Sequence, residues 1–243
     1  MIKTAVILAA GCGERLDKAI KQDKPKGFVE LEGLSLIERS INNLKSVGIS
    51  KIIIGTGYLS SYYESLVDNR LIFCVKNNSY ANSGSFYTLY NLRYYLNADF
   101  LLLESDLLYE KNALHILMND IKKDVILSSG KTSSGDEVFI EVGEKNLLVN
   151  ISKNQSDLSD VYSELVGISK ISLDTYKMLL EWGMKNLNKA KKIDYENALV
   201  EIANKRKIYV KKVDDLIWAE IDTKEHYKRV LDHIYPKLLN IKE

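Results

Sequence analysis

The sequence predicts an α/β fold in which a mainly parallel sheet is covered by helices on both faces. Short apolar runs of strand length alternate with segments that repeat apolar residues at helical spacing. This strand–helix–strand rhythm is typical of parallel sheets, whose neighbouring strands are joined by crossover helices. The chain has 243 residues, of which 46% are hydrophobic and 28% charged. That size and composition suit one globular domain, predicted to span residues 1–243.

The elements of the parallel part follow one another in order. The uninterrupted apolar run from Thr4 to Leu8 is the first predicted strand. Between Leu36 and Leu44 apolar residues recur at helical spacing, so a helix is predicted that ends near Gly48. The other elements predicted in this part are strands at 51–54, 71–75, 100–103 and 124–127 and a helix at 89–96.

The pattern changes after about residue 130. Residues 137–142 and 146–151 are two strand-like runs on either side of Gly143-Glu144-Lys145, which predicts an antiparallel hairpin that extends or covers the sheet. The elements predicted after the hairpin are strands at 165–168 and 217–221 and helices at 173–187, 194–203 and 223–238.

Composition excludes several classes of protein. The formal net charge of +1 gives no bulk electrostatic argument for binding nucleic acid or an anionic membrane. No apolar run approaches the roughly 20 residues of a membrane span, and the N-terminus lacks the pattern of a signal peptide. Cys12 and Cys74 lie far apart, so no disulfide framework is expected. A cytoplasmic location, without membrane insertion, is therefore expected.

The first predicted strand runs into a loop of small residues. The segment AVILAAGCGERL, residues 5–16, ends in adjacent alanines, spaced glycines and Arg15. Ligands bind at the carboxyl ends of parallel strands, and small residues let backbone N–H groups approach them closely. Arg15 can donate paired hydrogen bonds to phosphate oxygens. The alternative is an ordinary tight turn. Neither the dinucleotide fingerprint nor a Walker loop fits the glycine spacing.

A second cation follows shortly after the glycine loop. In the segment DKPKG, residues 23–27, the proline fixes the backbone just before Lys26. Lys24 is expected to be a solvated surface charge. Lys26 and the glycine loop together supply close backbone amides and two cations, and this set suits a triphosphate.

Two groups of carboxylates are predicted at the same edge of the sheet. Asp106 ends the run LLLESD at the carboxyl end of a strand. In WAEID, strand alternation places Trp218, Glu220 and Asp222 on one face. Such carboxylates repel one another unless a cation binds, and Mg²⁺ takes carboxylate oxygens together with substrate phosphates. Asp106, Asp222 and Glu220 are therefore candidate Mg²⁺ ligands, with a helix cap or turn as the alternative for the aspartates.

These motifs resemble the signature of the nucleotidyltransferases that act on sugar phosphates and phosphocholine. LAAGCGERL followed by KPKGF is similar to their Gly-rich loop and Pro-Lys motif, and IWAEIDTKEHYKRV is similar to their C-terminal metal motif. The resemblance implies a Rossmann-like, GT-A-like nucleotidyltransferase fold and an Mg²⁺-dependent enzyme. It implies catalytic roles for Lys26, Arg15 and Asp106. The nucleotide-binding residues expected in this part of the chain are Leu8, Ala9, Ala10, Gly11, Gly13, Arg15, Lys26, Gly57 and Tyr58.

The stretch NSYANSGSFYTLY, residues 78–90, resembles a segment of the cytidylyltransferases that act on phosphocholine and 2-aminoethylphosphonate. By that likeness Ser83, Gly84 and Ser85 lie beside the base and sugar, where hydroxyls and an amide can satisfy a pyrimidine edge. A helix N-terminus capped by serine is compatible with this role. CTP is the favoured nucleotide.

The segment SGDEVF, residues 134–139, favours a primary amine on the acceptor. The phosphocholine enzymes carry a tryptophan near Glu137, whereas this chain is acidic there. A quaternary ammonium needs an aromatic cage, and a primary ammonium can donate hydrogen bonds to a carboxylate. Asp136 is the first candidate for the amine and Glu137 the second, with a plain acidic turn as the alternative. Tyr80 and Tyr162 are candidates for the same pocket.

The implied reaction is attack by a phosphonate or phosphate oxygen on the α-phosphorus of CTP, with release of pyrophosphate. The expected acceptor is 2-aminoethylphosphonate. Phosphocholine, a sugar 1-phosphate and a non-catalytic nucleotide-binding regulator are the alternatives, and a homodimer stays open. His115, His226 and His233 form no ligand pattern, and each is expected on the surface or on a helix face.

Overall fold

The computed structural model describes residues 2–16, 20 and 23–241. The strands are β1 Thr4–Ala9, β2 Glu30–Leu31, β3 Leu34–Ser35, β4 Lys51–Thr56, β5 Ile72–Lys76, β6 Phe100–Glu104, β7 Leu107–Tyr109, β8 Val125–Ser129, β9 Phe139–Val142, β10 Leu148–Ser152, β11 Ser163–Ile171, β12 Tyr209–Val213 and β13 Trp218–Glu220. The α-helices are α1 Leu36–Ser46, α2 Ser60–Glu64, α3 Ser85–Asn91, α4 Asn112–Asn119, α5 Leu173–Lys185, α6 Leu187–Ala190, α7 Tyr195–Ala203, α8 Lys224–Arg229 and α9 Tyr235–Leu239.

A nine-stranded mixed sheet forms the centre of the molecule. Its order is β10-β9-β11-β6-β1-β4-β5, with β8 paired to β11 and β12 paired to β8. β1 is parallel to both of its neighbours, β4 and β6. β10 and β11 run against the other strands, which agree in direction. The predicted mainly parallel sheet with an antiparallel hairpin is therefore confirmed.

Helices pack on both faces of this sheet because the side chains of β1 alternate between two cores. Ala5 and Ile7 face a core to which α1, α2 and α4 contribute. Val6 and Leu8 face the opposite core, to which α3, α5 and α7 contribute. Every residue of β1 is buried, as expected for a central strand covered on both sides. No helix in the described part of the chain is long and apolar enough to cross a bilayer.

The C-terminal strand is separate from the main sheet. β13 pairs antiparallel with β7, so that Trp218 lies opposite Tyr109 and Glu220 opposite Leu107. The chain turns at Ser105 and Asp106, between β6 and β7. This small sheet therefore carries the predicted WAEID carboxylates back to the edge of the sheet where β6 ends.

The long predicted C-terminal helix is built from three parts. α8 is followed by a π-helical segment, Val230–Ile234, and then by α9. Pro236 lies at the start of α9 and cannot donate a backbone hydrogen bond to residue 232. The hydrogen-bond pattern widens before this proline, and the helical path continues to Leu239.

Candidate active site

A cavity of about 520 Å³ lies where β1 and β6 end. Leu8 is in register with Glu104, so the glycine loop and the turn at Ser105 leave the sheet side by side. The cavity brings together residues that are far apart in the sequence, as expected for the carboxyl edge of a parallel sheet. The predicted site residues that line it are Leu8, Ala10, Gly11, Gly13, Arg15, Lys26, Tyr80, Ser83, Gly84, Ser85, Asp106, Asp136, Glu220 and Asp222.

The remaining predicted site residues do not line this cavity. Ala9 faces the core on the α1 side of the sheet. Gly57 and Tyr58 lie behind the glycine loop, where the Tyr58 amide donates a hydrogen bond to the Ala10 carbonyl at 3.1 Å. Glu137 lines a separate cavity of about 30 Å³. Tyr162 packs against the core, with the Lys212 ammonium 5.5 Å from its ring centre.

The glycine loop packs directly on the stem of Lys26. Gly13 has a φ of +60°, and a Cβ there would lie 2.6 Å from Lys26 Cγ. Glycine is therefore needed both for the backbone conformation and for the close contact. A Cβ on Gly11 would meet no atom within 4 Å, because this residue borders the open cavity. The small residues thus serve two purposes, to hold Lys26 close and to leave space beside the loop.

Residues 83–85 connect the cavity to two helices. Asn77 Nδ2 donates a hydrogen bond to Ser83 Oγ at 2.9 Å. The N-cap of α3 is Gly84, and no side chain caps this helix. The predicted alternative, a helix start capped by serine, is therefore wrong. A Cβ on Gly84 would collide with the Ile193 carbonyl oxygen. Glycine here lets α3 sit against the segment that leads into α7.

Lys26 and Arg15 converge on the carboxylates at the mouth of the cavity. Lys26 Nζ lies 2.9 Å from Asp106 Oδ2 and 4.0 Å from Glu220 Oε1, and it also contacts Asp222. Arg15 contacts Asp222 as well, and its Nη1 lies 3.4 Å from Asp136 Oδ2. Burial by itself would lower the pKa of Lys26, but Asp106 and Glu220 outweigh it and raise the pKa above its usual value. Lys26 is therefore firmly charged.

The carboxylates of this site outnumber its cations. Burial, and then the nearby carboxylate of Asp106, raises the pKa of Glu104 and that of Glu220. Glu104, Asp106 and Glu220 bring carboxylate oxygens within 4.8 Å of one another, and Asp136, Glu220 and Asp222 do the same. An all-oxygen donor set with excess negative charge fits a hard divalent cation such as Mg²⁺. Glu220 belongs to both groups.

Asp222 does not cap the final helix. Thr223 is the N-cap of α8, and its side chain accepts a hydrogen bond from the His226 amide at 3.2 Å. The Asp222 carboxylate is left to contact Lys26 and Arg15. The capping alternative for Asp222 is thus contradicted, and its side chain belongs to the charged cluster.

His226 is a functional-site neighbour that the sequence did not reveal. It lies on a helix face as expected, but it is buried beside Asp222, whose amide donates to His226 Nδ1 at 3.4 Å. Because Nδ1 accepts, Nε2 carries the proton and donates to the Ser134 carbonyl at 3.2 Å. Nε2 also lies 3.4 Å from Asp136 Oδ1. His226 therefore joins the strand of Asp222 to the loop of Asp136.

A second acidic surface of the cavity was also missed. We call Glu104, Tyr195 and Glu196 the acidic wall. Tyr195 donates its hydroxyl hydrogen bond to Glu104 Oε1 at 2.8 Å. Glu196 is 8% exposed, and burial, followed by the neighbouring carboxylate of Asp194, raises its pKa to about 7. Acidic residues in the first turn of a helix are ordinary, so the sequence DYE at 194–196 gave no signal of a site.

The raised pKa of Glu196 makes a stability prediction. In the folded protein the pKa of Glu196 exceeds its usual value of 4.5, so rising pH ionises this residue in the unfolded chain first. The free energy of unfolding therefore falls as the pH rises from about 4.5 to 7. Glu196→Gln removes this cost. We expect it to raise the free energy of unfolding by roughly 2 to 3 kcal/mol at pH 8 and by much less at pH 5, measured by urea titration.

Glu181→Gln is the control, because Glu181 is exposed. This substitution should change the free energy of unfolding little at either pH. Equal effects of Glu196→Gln at pH 5 and pH 8 would contradict the assigned pKa shift.

Comparisons with known proteins agree with this geometry. The model of one protein family, described as MobA-like NTP transferase domain, matches residues 5–154. The chain is 27% identical over 228 residues to a choline-phosphate cytidylyltransferase of Streptococcus pneumoniae, with 93% of this chain and 96% of that protein covered. It is 24% identical over 246 residues to a CTP:phosphoglutamine cytidylyltransferase of Campylobacter jejuni, with 90% and 95% covered.

Solved structures show the same fold. The inositol-1-phosphate CTP transferase from T. maritima superposes with a TM-score of 0.81 at 18% identity, covering 100% of this chain and 98% of the other. The CTP:phosphocholine cytidylyltransferase from Streptococcus pneumoniae gives 0.78 at 26% identity, covering 94% and 98%. The fold class expected from the sequence motifs is confirmed.

Proposed function

We propose that this chain, which belongs to the MobA-like NTP transferase family, transfers CMP from CTP to a small phosphonate or phosphate. It is thus a nucleotidyltransferase. The observation that carries the proposal is the convergence of Arg15 and Lys26 with Asp106, Glu220 and Asp222 at one edge of the sheet. Two cationic side chains and a group of carboxylates beside a glycine loop suit a triphosphate and its divalent counter-ion.

CTP is the proposed nucleotide. Two relatives for which at least 90% of both chains is covered are named choline-phosphate cytidylyltransferase and CTP:phosphoglutamine cytidylyltransferase. Ser83, Gly84 and Ser85 line the cavity. The Gly84 amide donates to the Lys191 carbonyl at 2.8 Å and the Ser85 amide to Asp194 at 3.0 Å. The Ser83 hydroxyl accepts from Asn77, and its proton can be donated to a pyrimidine edge. Tyr80 lines the same side, and the Tyr58 ring lies 6.5 Å from it. The two rings are tilted by 57° to each other, so Tyr80 alone offers an aromatic face to the cavity.

The reaction needs charge compensation more than proton transfer. The attacking phosphonate or phosphate oxygen is an anion at neutral pH, so it forms a bond to the α-phosphorus of CTP without a general base. The bond from the α-phosphorus to the bridging oxygen breaks, and pyrophosphate leaves with that electron pair. Lys26 holds the phosphates, and Arg15, whose side chain is 56% exposed, is accessible to the leaving pyrophosphate. Charges fixed in advance lower such a barrier most effectively.

A divalent cation completes the charge balance. Asp106, Glu220 and Asp222 would hold Mg²⁺. Glu220 belongs to both groups of carboxylate oxygens that lie within 4.8 Å of one another, Asp106 to one and Asp222 to the other. When bound, the ion supplies positive charge that neutralises the phosphate oxygens. Lys26 contacts the same carboxylates and orients them toward the cavity.

The proposed acceptor is 2-aminoethylphosphonate, because the cavity is rich in carboxylates that can accept hydrogen bonds from a primary ammonium. One observation favours phosphocholine as the second candidate. Tyr80, Tyr195 and Trp218 also line the cavity, and aromatic faces attract a quaternary ammonium.

The test is pyrophosphate release with Mg²⁺, crossing CTP, UTP, ATP and GTP against four acceptors. The acceptors are 2-aminoethylphosphonate, phosphocholine, phosphoethanolamine and glucose 1-phosphate. We expect release with CTP and 2-aminoethylphosphonate. Preference for phosphocholine would keep the mechanism and move the acceptor to the second candidate. Silence across the grid, with the protein folded, would overturn the proposed activity and favour a non-catalytic nucleotide-binding protein.

A further inference from the structure

The acidic wall contains two buried carboxyl groups that have no ion-pair partner among the described residues. Glu196 is more than nine-tenths buried and borders the cavity, and its carboxylate accepts a hydrogen bond from its own backbone amide. Within residues 2–16, 20 and 23–241, no lysine, arginine or histidine forms an ion pair with Glu104 or Glu196. Lys153 lines the same cavity and its charge lowers the pKa of Glu196, but the two side chains form no direct ion pair. A positive ligand placed beside these carboxyl groups would favour their charged forms, against the burial that raises the pKa of each.

Asp136 differs from the wall in this respect. Its Oδ2 lies 3.4 Å from Arg15 Nη1, and its Oδ1 lies 3.4 Å from His226 Nε2. Glu137 accepts a hydrogen bond from the Gly135 amide and lies outside the main cavity. Both acidic residues of this loop therefore already have partners within the protein.

The wall lies next to the proposed phosphate position. The carboxylate of Glu104 approaches those of Asp106 and Glu220 within 4.8 Å, and Lys26 contacts both of these. In 2-aminoethylphosphonate two carbons separate nitrogen from phosphorus, a span of about 4 Å at standard bond lengths. A phosphonate held near Lys26 can thus place its ammonium beside Glu104, whose pKa the nearby carboxylate of Glu196 also raises.

The hydrogen bonds of the wall select the kind of cation. Tyr195 donates to Glu104 Oε1. When Glu104 and Glu196 are ionised, as beside a bound cation, their remaining oxygen lone pairs can only accept. A primary ammonium brings three N–H donors, whereas a quaternary ammonium brings none. Gly167 approaches this wall so closely that a Cβ there would lie 3.0 Å from Glu104 Cδ, which fixes the Glu104 side chain in place.

We propose that the acidic wall is the binding site for the primary ammonium group of the acceptor, and this rests on the proposed function in taking the acceptor to be an aminophosphonate. Glu196 and Glu104 accept its hydrogen bonds, and Tyr195 holds Glu104 in the orientation that receives them.

The experiment compares 2-aminoethylphosphonate with propylphosphonate, in which a methyl group replaces the ammonium. Calorimetric titration measures the dissociation constant of each for the wild-type protein and for Glu196→Gln. We expect the wild type to prefer the aminated ligand by about 10- to 100-fold, as charge-assisted hydrogen bonds imply. Glu196→Gln should reduce this preference to less than about threefold. Glu104→Gln is a second variant with the same expectation.

Two further variants make the comparison specific. Glu201→Gln, on the same helix and paired with Lys189 on the surface, should keep the wild-type preference. Asp136→Asn tests the rival carboxylate. The proposal is overturned if Glu196→Gln keeps the wild-type preference, if Asp136→Asn alone removes it, or if the wild type shows none. Tighter binding of phosphocholine than of 2-aminoethylphosphonate also overturns it. These titrations need no turnover, so failure of the wall is distinguished from failure of CTP-dependent pyrophosphate release.

Discussion

Replacing Lys26 by alanine is expected to lower kcat/KM for CTP-dependent pyrophosphate release by a factor of about 10² to 10³. The ammonium lies 2.9 Å from Asp106 and contacts Asp222, so its loss removes the central cation of the cluster. The repulsion between triphosphate and acceptor would then be uncompensated at that point. Steady-state kinetics with CTP and 2-aminoethylphosphonate measures the effect, and thermal unfolding shows whether the variant is folded.

Lys24 provides the matched control, because it lies two residues away and is paired on the surface with Glu30 at 2.7 Å. Lys24→Ala should keep wild-type kinetics. Lys26→Arg keeps the charge but must fit a larger group where the stem already packs against Gly13, so we expect it to recover only part of the activity. Near wild-type turnover of Lys26→Ala would remove Lys26 from the proposed mechanism.

Neutralising Asp222 or Asp106 is expected to have a similarly large effect through a different route. Asp222 is 2% exposed and contacts both Arg15 and Lys26. Asp106 accepts a hydrogen bond from the Lys26 ammonium. Asp222→Asn and Asp106→Asn keep the size of the side chain but remove a charged oxygen ligand. We expect each to lower kcat/KM by about 10² to 10³ and to weaken the binding of Mn²⁺, a spectroscopic substitute for Mg²⁺.

Electron paramagnetic resonance of Mn²⁺ gives a readout that does not depend on turnover. Asp215→Asn is the control, because Asp215 is exposed in the turn before β13. Wild-type Mn²⁺ affinity in both Asp106→Asn and Asp222→Asn would exclude these two residues as the ligands, and the metal assignment would have to move to the remaining carboxylates.

The parts of the site that the sequence predicted are those in which a local motif meets a strand end. The glycine loop follows a fully buried strand, and Asp106 follows another, so their meeting at one edge is a consequence of parallel pairing. The WAEID segment was predicted as part of a strand at 217–221, without a partner strand. It pairs with β7, which alternation alone could not show because β7 has only three residues.

The parts that the sequence did not predict depend on contacts between distant helices. Glu196 and Tyr195 reach the cavity only because α7 is anchored to α3, where Ser85 donates to Asp194 at 3.0 Å. His226 is drawn inward by the Thr223 cap at the start of α8. β12 escaped notice because Lys211 and Lys212 interrupt its apolar pattern at an edge of the sheet. In each case packing, and not local propensity, decides the position.

The residues that line the cavity come both from the part of the chain that the family model matches and from α7, beyond it. The family match ends at residue 154, whereas Tyr195 and Glu196 lie beyond it, on α7. If the proposed ammonium site is correct, substitutions on that helix should change the acceptor and leave the nucleotide loop untouched. The N-terminal signature then predicts the chemistry of the donor, and it is the start of α7 that should be read to predict the acceptor.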